Sequence, residues 1–136
     1  MSHGNLSPYR AKIPGTWEVR GVWSGGGAAA NCSVASGDWN AGITSVAYNA
    51  ATGKYLITFK DFGQQIVGGH VEVVGDTGDI PKVAHLLRDT YSASAGTVQM
   101  ELWTLATEAV AAALTDVPAT HKLMIHVVFS DNAPNS

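Results

Sequence analysis

Five histidines, one cysteine and a close pair of aspartates are the residues of this 136-residue chain best suited to chemistry. The histidines are His3, His70, His85, His121 and His126, and no two stand at the spacing by which a single strand or helix presents a ligand pair. His70 and Glu72 share one face of an expected strand and could make half a metal site, but a solvated polar face explains them better. Asp76 and Asp79, separated by Thr77 and Gly78, resemble part of a calcium loop but lack the further carboxylates such a loop needs. Cys32 follows a Gly-Ala loop and precedes Ser33 and Val34, the setting of a small buried core residue rather than a nucleophile. Neither a nucleophile elbow nor a Cys-His signature is present in the chain. These residues predict no catalytic group, no metal and no cofactor, and hence a protein that is not an enzyme.

The elements that must position them read as strands. Residues 43–62 form the clearest unit, a β-hairpin: Val46 and Tyr48 share one face of its first arm, and Tyr55, Ile57 and Phe59 alternate with Lys54, Thr58 and Lys60 along its second. The connecting Asn49-Ala50-Ala51-Thr52-Gly53 has Asn at entry and Gly at exit, as hairpin loops of this length often do. Residues 16–23 set Trp17, Val19 and Trp23 on an aromatic face that Gly21 interrupts, which predicts a bulge or a close backbone approach. The Gly-rich loop at 24–31 is followed by no Lys-Ser or Lys-Thr and opens no helix, so it is not a phosphate cradle. Residues 32–35 fit a short strand. Along 65–74, Val67, Val71 and Val73 share a face and Gly68-Gly69 marks a bulge, while 82–91 alternates less cleanly and fits a strand covered on both sides.

Residues 97–105 turn Val98, Met100 and Leu102 inward, and 122–130 does the same with Leu123, Ile125, Val127 and Phe129. Residues 106–114, rich in alanine, fit a short helical turn or an irregular crossover, ended by Thr115-Asp116-Val117-Pro118. The expected fold is all-β: a single antiparallel β-sandwich or jelly roll of about eight strands over residues 16–136, with an extended N-terminal arm over 1–15. Trp103, Met124, His126 and Val128 point outward on their strands. The apolar ones stand where a monomer would be polar, which predicts an oligomer interface there.

Charged residues make up only 14% of the chain, against roughly 25% in ordinary globular proteins, which predicts a surface covered by protein contacts. The net charge of −3 is too small to steer nucleic acid or a membrane. Two of the eight basic residues and none of the eleven acids lie in residues 1–15, so the arm carries +2 and the body −5. Leu6, Tyr9 and Ile13, apolar residues that a purely solvated tail seldom carries, join Arg10 and Lys12 in that arm as candidate contacts to a neighbour. A single cysteine allows no intrachain disulfide. The first ten residues lack the apolar segment of a signal peptide, and no apolar run approaches the roughly 18 residues that span a bilayer, so synthesis in the cytoplasm is expected.

Two resemblances bear on function. Gly15-Thr16-Trp17, followed by Glu18-Val19, resembles the Gly-x-Trp first strand of the lipocalins and fatty-acid-binding proteins, which implies a small barrel holding an apolar ligand. The helix pair of the second group and the Thr-Asp-Tyr turn of the first are missing. From Val19 onward the order is strand, Gly-rich loop, strand to Tyr48, the turn through Gly53-Lys54-Tyr55, the Leu102-Trp103-Thr104-Leu105 strand and the closing His126-Val127-Val128-Phe129 strand. That order resembles small head decoration, or cement, proteins of tailed bacteriophages, and is similar to the trimeric heads of the C1q type, whose Gly-x-Tyr-x-x-x-Phe strand matches Gly53, Tyr55 and Phe59. The resemblance implies a homotrimer without enzymatic activity, seated on the outer surface of a virion and bound to its major capsid protein.

Overall fold

Alternation of apolar and polar residues builds nearly every strand. The computed structural model describes residues 15–131, and the expected arm residues Leu6, Tyr9, Arg10, Lys12 and Ile13 lie outside them. Nine strands follow one another among the described residues: β1 (Thr16–Ser24), β2 (Asn40–Ala41), β3 (Ile43–Tyr48), β4 (Lys54–Phe59), β5 (Gln65–Val74), β6 (Lys82–Ser92), β7 (Thr97–Thr104), β8 (Ala113–Leu114) and β9 (Lys122–Ser130). They pair antiparallel in two sheets, one in the order β2-β1-β9-β5, the other β3-β4-β7-β6 with β8 added beside β7. The two sheets pack together as a β-sandwich, and the open order of each replaces the expected alternative of a closed lipocalin-like barrel.

Inward residues of both sheets fill the space between them. Tyr55, Ile57, Val98, Met100, Leu102, Leu123, Val127 and Phe129 are fully buried. Phe129 is the hub: Phe59 meets it edge-on with ring centroids 4.9 Å apart, Tyr91 stands at 5.7 Å and Trp17 at 6.1 Å. The edge-to-face pair of Phe59 and Phe129 adds about 0.5–1.5 kcal/mol beyond the area it buries.

The hairpin forms as its alternation predicts, Val46 pairing with Ile57 and Tyr48 with Tyr55. Its turn places Gly53 at φ 73°, the left-handed region where a side chain is strained. Gly21 is a close approach and not a bulge: it keeps its register with Ile125, and a Cβ there would lie 2.5 Å from the Asn40 side-chain oxygen. The bulge near Gly68 is real, with the register slipping between Ile66 and Gly68. The extra residue reverses the faces before it, so Ile66 is buried and Val67 exposed, correcting the expected inward position of Val67.

Residues 32–35 contribute only an isolated bridge between Ser33 and Ser24 rather than a strand. On β6, Ala84 and Leu86 pack on the core while Val83 is exposed, so that strand is covered on one side. Residues 106–114 form the irregular crossover, with no helix among the described residues. Thr107 closes a small turn with Val110, and β8 then pairs with β7.

Candidate functional site

Strand register decides which side chains meet on the outer face of the first sheet. β9 lies between β1 and β5, so its outward residues Met124, His126 and Val128 each have neighbours on both sides. Met124 stands between Val22 and Glu72, His126 between Arg20 and His70, and Val128 between Glu18 and Gly68. Trp39, just before β2 and tied to this face by a hydrogen bond from Val22 N to its carbonyl (2.7 Å), extends the apolar row Val22–Met124 to the sheet edge. Trp39 is 58% and Met124 45% exposed, large values for residues of their size. Together with Arg20, His70, Glu72 and His126 they line a groove of about 430 Å³.

The polar part of this face is incompletely satisfied. Glu18 divides its carboxylate, one oxygen 3.0 Å from Arg20 Nη2 and the other 3.4 Å from His126 Nε2. The second approach has ion-pair distance but not hydrogen-bond geometry, so the buried His126 Nε2 has no hydrogen-bond partner among the described residues. Its ring meets that of His70 edge-on at 5.5 Å. The face thus combines an apolar centre with a charged rim.

Of the four residues expected at an oligomer interface, the structure brings Met124, His126 and Val128 together and separates Trp103 from them. Trp103 lies on the outer face of the second sheet, between Val83 and Leu114, with its indole nitrogen 3.4 Å from Glu101. Sequence reasoning missed Trp39. It sits between a turn and a two-residue strand, where no periodicity points to it.

The candidate nucleophile is quiet. Cys32 is a free, buried thiol, and burial pushes it up to about 11, partly offset by a hydrogen bond from the Gly26 backbone. Little thiolate is then present near neutrality, the opposite of a catalytic cysteine. Asp38 is a structural carboxylate. Its hydrogen bond from Lys122, aided by those from Ser24 Oγ and Ala35 N, holds it below the usual carboxylate value and ties the loop before Trp39 to β1 and β9.

A second cluster forms at one end of the sandwich. Asp76 and Asp79, in the turn between β5 and β6, meet His121, which leads into β9 and is 3% exposed. His121 Nε2 lies 3.3 Å from Asp79 Oδ2 and 3.4 Å from Lys82 Nζ. The sequence showed the two aspartates but not the histidine, which only the pairing of β5 with β9 brings to them. Compared with known protein families, with curated proteins and with solved structures, the chain matches none.

Proposed function

We propose that this protein is a non-catalytic assembly module, a homo-oligomeric decoration protein that binds the outside of a viral shell through its major capsid protein and stabilises it. The observation that carries the reading is the apolar row Trp39–Val22–Met124 across the outer face of the first sheet, rimmed by Glu18, Arg20, His70 and Glu72. A lone monomer has no reason to keep so large a side chain as Trp39 more than half in water, whereas an oligomer buries it. The order of strand and loop motifs from Val19 onward supports the viral setting, and the raised Cys32 thiol supports a body without a nucleophile.

The shared face is that of the first sheet. Trp103, on the opposite outer face, is left out of that contact, because two patches facing away from each other do not close a small ring of subunits. The arm supplies the shell contact in this reading, Arg10 and Lys12 pairing with shell carboxylates while Leu6, Tyr9 and Ile13 are buried. Deleting residues 2–13 and measuring binding to undecorated phage heads tests the shell contact. Lost binding with the oligomer intact is expected, and unchanged affinity overturns it.

A further inference from the structure

The cluster at the end of the sandwich has the donors of a metal site. One donor atom from each of Asp76, Asp79 and His121 lies within 4.8 Å of the others. A tetrahedral zinc ion, with arms of about 2.0–2.2 Å to nitrogen and oxygen, sets neighbouring donors roughly 3.3–3.5 Å apart. His121 Nε2 and Asp79 Oδ2, at 3.3 Å, already have that separation. Asp76 is exposed on the turn beside them.

The histidine is built into this position. Its ring is buried, with Nδ1 3.2 Å from Thr120 Oγ1, the kind of outer contact that orients a ligating imidazole. Gly75 lies against the other edge: a Cβ there would fall 2.6 Å from Nε2, so the nitrogen reaches the pocket of about 230 Å³ only because residue 75 has no side chain. Two neighbours then make opposite demands on Nε2. The Lys82 ammonium can only donate and needs the nitrogen's lone pair, while the Asp79 carboxylate can only accept and faces the same atom. A cation between nitrogen and carboxylate reconciles them, and Lys82 supplies one from the rim.

We propose that Asp76, Asp79 and His121 bind one divalent transition-metal ion, zinc fitting the mixed nitrogen and oxygen donors best, in competition with the Lys82 ammonium. Calcium fits poorly, since it takes six to eight oxygen ligands and seldom nitrogen. The ion would cross-link the β5–β6 turn, which joins the two sheets, to the start of β9.

Titration of the full chain with zinc chloride, followed calorimetrically and with calcium and magnesium chlorides as comparators, tests this. One zinc per chain is expected, with a shift of the His121 Nε2 resonance and no comparable calcium binding. Asp79→Asn should weaken zinc by more than the roughly 10- to 100-fold that loss of a mere supporting contact costs. Lys82→Met should tighten it about tenfold, by removing a like charge beside the ion. Both positions border solvent, and thermal melts in chelator verify that each variant folds. Zinc binding that ignores Asp79→Asn, that weakens in Lys82→Met, or that is abolished by His3→Ala overturns the assignment, as does an absence of binding below millimolar zinc.

Discussion

Two regions of this sandwich treat their polar atoms in opposite ways. Where the crossover from β7 returns to β9, polar groups meet partners within the chain: Asp116 accepts from Gly53 N (2.8 Å) and Ala29 N (2.9 Å), and the Tyr55 hydroxyl accepts from Val117 N (2.7 Å). Leu102 N donates to the Gly53 carbonyl at 2.8 Å, and Thr115 N to that of Leu102 at 3.0 Å. On the outer face of the first sheet, Trp39 and Met124 are exposed and His126 Nε2 has no hydrogen-bond partner among the described residues. The first region is finished within one chain and serves stability. The second, in the proposed reading, is completed by contact between copies.

The largest expected effect breaks the closed region. Tyr55→Ala removes a fully buried ring and the acceptor of Val117 N, and should cost about 3–5 kcal/mol or more. Tyr55→Phe keeps the ring and leaves the Val117 N–H buried without its partner, at about 1–3 kcal/mol. Urea unfolding followed by tryptophan fluorescence reads both, and a Tyr55→Phe variant as stable as the parent would show that the hydroxyl contributes nothing.

Alkali separates the regions next. Burial raises Tyr55 from 10.0 to about 12 and Cys32 from 9.0 to about 11, so folding favours their protonated forms. Their contribution is whole below the ordinary values and is lost as pH climbs through the raised ones. Melting temperature should therefore fall above about pH 9, and Tyr55→Phe, which cannot ionise, should flatten the upper part of the fall. A variant of the outer face, Met124→Glu, should leave that limb unchanged.

Acid gives a smaller effect at the boundary of the two regions. Asp38 is held below its ordinary 3.8, so its tie to Lys122 and Ser24 is whole above that value and weakens as pH falls through the lowered one. Asp38→Asn should remove this part of the acid loss and loosen the loop that carries Trp39, seen as faster amide exchange over residues 35–38. Smallest of all is the effect of Met124→Glu on the stability of the isolated chain, within about 0.5 kcal/mol, because the side chain is half in water.

The closed region and the open one were not equally legible in the sequence. Strict alternation in β4, β7 and β9 named their buried residues, and Gly53 announced its turn, because a half-buried strand imposes a period of two on the chain. Met124, His126 and Val128 followed as the remainder of that pattern. Val67 was misplaced because one extra residue in a bulge reverses a face, and the sequence marks the bulge only by its glycines. The alanines of residues 106–114 allowed a helix that the structure lacks, since so short a segment is governed by its pairing with β7 rather than by propensity. Trp39 and the meeting of His121 with Asp79 depend on which strands become neighbours, and periodicity carries no information about that.

Sedimentation of the purified chain at micromolar concentration, alone and as Met124→Glu, tests the central claim that the outer face of the first sheet is an interface between copies. The account predicts an oligomer, a trimer in the decoration-protein reading, that falls to a folded monomer when a charge is placed in the apolar row. A monomeric wild-type chain, or a Met124→Glu variant that keeps the oligomer's mass, would contradict it.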